Sequence, residues 1–216
     1  MSVPERAHRL DETNIQLRKE LWLIHSSLAV YRVIGLNASA IPRAKGFFGF
    51  VQNESLSAVA LGLDKVFERE LPGGHELCSV GGVFRLAQAV QIQNRTAAEV
   101  FAKRYGVTPS TDWVHDVGEV FSRQRPRVSE HIVAIDRVRN TRLAHIQQMA
   151  PDATLPSIAA FEELLAFAFD FHSFVNEAFL NAHAHPTLAD KQVESSLLQV
   201  LKMVGVSDPR SQFADI

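Results

Sequence analysis

The chain has 216 residues, 46% hydrophobic and 21% charged, with a formal net charge of −2, which is enough for one full core. The near-neutral balance excludes bulk nucleic-acid binding through the whole surface, while leaving room for a small localised site. Cys78 is the single cysteine, so an intrachain disulfide and a thiolate metal cluster are excluded and a cytoplasmic home fits best.

The N-terminus (Met1-Ser2-Val3-Pro4-Glu5-Arg6) is polar and reads as no signal peptide. Apolar runs break well short of ~18 residues, so no membrane span is expected. Apolar residues at Leu17, Leu21, Ile24, Leu28, Tyr31 and Ile34 predict a long first helix ending near Gly35-Leu36-Asn37, with Pro42 just beyond. A second helix is expected from Arg43 to Glu70, its core face formed by Phe47, Phe50, Val51, Leu56, Val59, Leu63, Val66 and Phe67, with Leu71-Pro72-Gly73-Gly74 as the stop. Ser79 can cap a short helix through Val90, and Thr96 another that ends at Tyr105-Gly106.

Pro109-Ser110-Thr111-Asp112 opens a helix over Trp113, Val117, Val120 and Phe121, which Pro126 should kink or separate from the next segment. From Val128 the apolar side is Ile132, Ile135, Val138 and Ile146, up to Met149 before Pro151. Ser157 starts a phenylalanine-rich helix over Phe161, Leu164, Leu165, Phe167, Ala168, Phe171, Phe174, Val175 and Phe179, closed by His183-Ala184-His185-Pro186. A last amphipathic helix spans Thr187 to Val204, with Gly205 as its cap. No strand alternation bounded by hairpin turns is found. The expectation is one all-α domain over 1–216: a four-helix up-and-down bundle with short inserted helices, and 186–216 as a helical extension.

The densest polar stretch is Asp136-Arg137-Val138-Arg139-Asn140-Thr141-Arg142-Leu143-Ala144-His145. Arg123, Arg125 and Arg127 lie just upstream, so the sign of the charge reverses locally. Spacing alone does not single out Arg139 and His145. With sixteen arginines and nine histidines, about two Arg-to-His pairs at such gaps are expected by chance, and the chain holds four: Arg18/His25, Arg69/His75, Arg125/His131 and Arg139/His145. Context separates them. Only Arg139 is followed by an asparagine, with Leu143-Ala144 before the histidine and a helix end close by.

Arg-Asn-Thr-Arg-Leu-Ala-His over residues 139–145 resembles the R-N-x-x-x-A-H signature of HEPN domains. The wider chain, from Lys45 to Leu180, looks most like the AbiU branch of abortive-infection HEPN proteins, where a long helix with a segment such as Ala60-Leu61-Gly62-Leu63-Asp64-Lys65 precedes inserted helices and the motif helix. After the histidine, such proteins often carry Ser-Asp; here Ile146-Gln147-Gln148 follows. The resemblance implies a metal-independent endoribonuclease of toxin or antiphage-defence type, working as a homodimer on RNA, with a nucleotidyltransferase-type antitoxin as a further partner.

The residue chemistry is coherent with that. RNA cleaves when its 2′-hydroxyl is deprotonated and the leaving 5′-oxygen is protonated, which suits imidazole at His145. A guanidinium at Arg139 can stabilise the charge on the phosphorane. Asn140 can hold the imidazole tautomer or a phosphate oxygen, and Asp136, three and four residues earlier, can orient Arg139 or Asn140. Arg137, Arg142, Arg123, Arg125 and Arg127 would add substrate affinity. Arg139 and His145 stand roughly 120° apart on an ideal helix, so either the helix bends or two copies pool their residues.

Other features read as structural. His183-x-His185 lacks a third metal ligand, His172 sits among phenylalanines as a core-boundary residue, and the phenylalanine stripe is core. Gly73-Gly74 and Gly81-Gly82 lack the strand–helix setting of a phosphate loop. No cofactor or metal is expected. The alternative to the enzyme is a non-catalytic helical module that binds RNA, a nucleotide or a protein partner through the same arginines.

Overall fold

A computed structural model describes residues 3–68, 78–138, 156–180 and 188–211. Its elements are α1 (Val3–Asn37), α2 (Lys45–Val66), α3 (Val80–Ala87), α4 (Arg95–Arg104), α5 (Trp113–Val138), α6 (Ile158–Val175), a π-helical turn (Asn176–Leu180) and α7 (Leu188–Met203). The class is all-α, with no strand among the described residues. Among them, too, no helix is long and apolar enough to cross a membrane.

Helix ends follow local chemistry. Ser79 Oγ accepts from the Gly82 amide at 3.1 Å and Ser157 Oγ from the Ala160 amide at 3.2 Å, satisfying first-turn donors of α3 and α6. Asp112 does the same for α5, its Oδ1 accepting from the Val114 and His115 amides. α7 ends in a Schellman motif: the Gly205 amide bonds to Lys202 O and the Val206 amide to Leu201 O, with Gly205 at φ 98°. Gly106, at φ 74°, ends α4 in the same way.

Four expectations are corrected. α2 starts at Lys45 rather than Arg43, because Ala44 adopts a left-handed φ of 58° that no helix can include. Its helical run closes at Val66, short of the expected Glu70, which lies outside the described residues, as does Leu71-Pro72-Gly73-Gly74. Asn94, not Thr96, occupies the N-cap position of α4. α5 runs unbroken through Pro126, which therefore does not separate two segments. Pro126 cannot donate to the carbonyl of Ser122, but both residues sit on an exposed face where water can replace the lost bond. Buried Val117 and Val120 on one side and buried Ile135 on the other anchor the helix across this point.

Phe47 and Phe50 are also not core: they are 61% and 62% exposed, while Phe48 between them is buried. Of the rest of the expected α2 face, Val59, Leu63 and Val66 are buried, and Val51, Leu56 and Phe67 are half-buried. Ile146 and Met149, and the helix end at His183-Ala184-His185-Pro186, lie outside the described residues.

Contacts group the chain into two compact units, Met1–Leu21 with Leu63–Ala184, and Trp22–Gly62 with His185–Ile216. In the first, α4 packs on α5 and α6, and α3 on α6. The phenylalanine stripe of α6 is its core: Phe161, Phe167, Phe171, Phe174 and Phe179 are all buried. Phe171 meets Phe121 at 5.4 Å and Phe101 at 6.2 Å between ring centroids, edge to face, the arrangement that ring quadrupoles favour.

Within this apolar layer sits a closed polar triangle. His172 Nδ1 donates to Asn14 Oδ1 at 2.9 Å, Asn14 Nδ2 to Asn176 Oδ1 at 3.0 Å, and Asn176 Nδ2 to His172 Nε2 at 2.9 Å. The ring assigns His172 one proton, on Nδ1, since Nε2 must accept. Burial, with a smaller contribution from the Arg18 charge, pulls its pKa from 6.5 to about 4. The unfolded chain therefore takes up this proton first. Stability is full above pH 6.5 and is lost as pH falls towards 4, by about 3 kcal/mol in all. Denaturant midpoints across this window should show the slope, and a His172→Gln variant should lack it.

The second unit has its own core of Val33, Ile34, Ile41, Phe48, Leu201 and Val206. Segment 186–216 contributes α7 and its Schellman turn to this core. Asn37, expected only as a helix stop, is buried and clamps the tail: its Nδ2 donates to Arg210 O at 3.0 Å and its Oδ1 accepts from the Arg210 amide at 2.7 Å. Gly62 lets α1 and α2 approach, because a Cβ there would collide with the Ile24 side chain. Ile24 is 1% exposed and β-branched, so it has little room to swing. Gly62→Ala is expected to destabilise the protein, the overpacking cost of about 1–3 kcal/mol exceeding the helix-propensity gain of about 1 kcal/mol. Chemical denaturation of the variant checks the sign.

Candidate functional site

Of the site residues expected from sequence, Asp136 and Arg137 lie in the last described turn of α5, and Arg123, Arg125 and Arg127 lie earlier on the same helix. Ile135, fully buried, fixes the rotation of its last turns. That orientation leaves Asp136 half-buried and Arg137 exposed in the last described turn, two residues before Arg139 in sequence. Arg139, Asn140, Arg142 and His145 lie outside the described residues. Arg137 lines a shallow groove on the outer face of α5 with Pro126, Glu130, Val133 and Ala134, residues that recur at helical spacing.

The upstream arginines divide between two roles. Arg123 Nε pairs with Glu119 at 3.0 Å, and its Nη1 donates to Gly106 O at 2.6 Å, placing a cation at the C-terminal end of α4. Arg127, one turn further on, pairs with Glu163 of α6. Both are thus engaged within the fold. Arg125 lies between them in sequence but faces a different way, lining a cavity of about 510 Å³. Among the described residues it has neither an ion pair nor a hydrogen bond.

Apart from Arg125, that cavity is lined by residues expected as core or given no site role, Arg85 among the latter. Phe67, Phe121 and Phe167 form an apolar wall, and Gly81 and Arg85 of α3 enter opposite Arg125 in the lining. The available signal was the Ser79 cap, which starts α3 so that Gly81 and Arg85 fall one turn apart on one face.

Two further polar groups are structural. Tyr105 Oη donates to Asp170 Oδ2 at 2.8 Å, and Arg104 pairs with the same carboxylate. Burial and the Asp170 bond push the Tyr105 phenol well above its ordinary range, so it stays protonated. Asp116, buried, accepts from the Ser110 amide at 2.8 Å and so fastens the loop before α5. Among the described residues, no three of His, Cys, Asp and Glu come together as metal ligands would. Comparison with protein-family models, with curated proteins and with solved structures returned no match to this chain.

Proposed function

We propose that the protein is a HEPN-type, metal-independent endoribonuclease of the toxin or antiphage-defence class, cytoplasmic and active as a homodimer. In this reading α1, α2, α5 and α6 are the four main helices of the bundle, α3 and α4 the inserted ones, and α7 the addition. The observation that carries it is the setting of the signature: α5 is a long helix anchored by Ile135, it presents Asp136 and Arg137 in its last turn, and Arg139–His145 follows directly. Arg139 stabilises the phosphorane, His145 moves the proton, and Asn140 and Asp136 orient them. Arg137, Arg142 and Arg125 raise the local concentration of the polyanion. The six-residue offset of Arg139 and His145 is met by pooling residues from two copies, which also supplies the second histidine that acid–base cleavage uses.

A second reading is a non-catalytic module that binds RNA, a nucleotide or a nucleotidyltransferase-type antitoxin. It draws on the pairing of Arg123 and Arg127 within the fold, which leaves fewer cations for substrate. Incubation with labelled RNA in EDTA separates the two. Cleavage that persists in chelator and disappears in His145→Ala supports the enzyme; salt-sensitive binding without cleavage supports the module.

A further inference from the structure

The cavity beside α5 combines three features that together define a ligand. Its wall is aromatic: Phe67 and Phe167 lie nearly parallel with centroids 6.2 Å apart, and Phe121 meets Phe167 edge-on at 5.7 Å. Its rim is cationic, with Arg85 from α3 and Arg125 from α5 both exposed at the lining. The first turn of α3 also enters it through Val80 and Gly81. Ser79 Oγ satisfies the Gly82 amide, and the amides of Val80 and Gly81 are first-turn donors with no intrahelical acceptor, at the positive end of the helix dipole. Among the described residues, Glu68 is the acidic lining residue beside the two guanidiniums.

An apolar slot alone would fit any hydrophobe, and a cationic rim alone any anion. Their juxtaposition selects a molecule with both parts. The volume of about 510 Å³ falls in the range of small-molecule sites and has room for a body of two fused rings. Arg125 differs from its neighbours Arg123 and Arg127 in having no carboxylate opposite it among the described residues, the arrangement expected of a cation reserved for an external anion.

We propose that this cavity binds a small amphipathic anion, a flat apolar body bearing one phosphate or carboxylate group, with the body against Phe67, Phe121 and Phe167 and the anion between Arg125, Arg85 and the start of α3. The site shares Arg125 with the RNA-cleavage reading but does not rest on it, and stands whether or not the chain is a nuclease.

Calorimetric titration of the full chain with 1-naphthyl phosphate, and with 1-naphthol as its uncharged counterpart, tests this. One saturable, salt-sensitive site is expected for the phosphate, with naphthol weaker by about tenfold or more, the contribution of charge-assisted contacts. Arg125→Gln, at an exposed position that folding does not depend on, should weaken the phosphate by about tenfold and leave naphthol unchanged. Ser122→Trp, exposed at the cavity lining, should fill the slot and abolish both. Absence of saturable binding up to about 1 mM, equal affinity for the two compounds, or affinity unchanged in either variant would overturn the proposal.

Discussion

Replacing His145 with alanine is expected to lower RNA cleavage by about 10²–10⁴-fold, the usual contribution of a positioned acid–base group. Far-UV circular dichroism and oligomeric state should be unchanged. The expectation rests on what RNA cleavage needs: a proton leaves the 2′-hydroxyl and another reaches the 5′-oxygen, and imidazole titrates close enough to neutrality to serve either step. Arg139→Ala should lower the rate by about 10²–10³-fold through loss of charge stabilisation at the phosphorane. Arg127→Ala makes the contrast, since its guanidinium is paired with Glu163. A loss in Arg127→Ala as large as in His145→Ala would move the chemistry away from the end of α5.

The second large effect is on stability. Phe171→Ala should cost about 3–5 kcal/mol, the range for deleting a buried phenylalanine whose surroundings cannot collapse. Phe171 is fully buried and touches four other rings, those of Phe84, Phe101, Phe121 and Phe174, carried on α3, α4, α5 and α6. The cavity would therefore open where four elements meet. Phe47→Ala, on an exposed ring, should stay within about 0.5 kcal/mol. Guanidinium unfolding of both variants decides it; a Phe171→Ala cost no larger than that of Phe47→Ala would contradict this account of the core.

What was legible in the sequence is what local chemistry controls. The end of α1 at Asn37, the caps at Ser79, Asp112 and Ser157, the glycine stop at Gly205 and the buried face of α6 each depend on residues within a turn or two of each other. The misses depend on partners elsewhere. Phe47, Phe48 and Phe50 crowd one turn, and which of them points inward is set by the packing of Phe48 against Val33 and Leu201, not by spacing. Pro126 reads as a kink or a break, and of the two the break is excluded: α5 continues because Val117, Val120 and Ile135 are buried on either side of it. Asn37 shows the same limit in a different way: its role as a stop was readable, its clamp on Arg210, 173 residues away, was not.

The candidate site divides along the same line. The placing of Asp136 and Arg137 on a core helix follows from periodicity. The difference between Arg125 and its neighbours does not, since the groups that hold Arg123 and Arg127 include Gly106 and Glu163, 17 and 36 residues distant. Charge counted along the sequence is one basic stretch; among its described residues the fold makes two structural cations, Arg123 and Arg127, and places Arg125 at a cavity and Arg137 in the last described turn of α5.

The measurement that bears most directly on the central claim is the end chemistry of RNA treated with wild-type protein in EDTA. Attack by the 2′-hydroxyl, with His145 moving the proton and no metal ion supplying the nucleophile, must leave a 2′,3′-cyclic phosphate on one fragment and a 5′-hydroxyl on the other. Those ends, appearing in chelator, are the predicted result. Intact RNA at protein concentrations that saturate binding, or cleavage that stops on chelation and leaves 5′-phosphates, would contradict it.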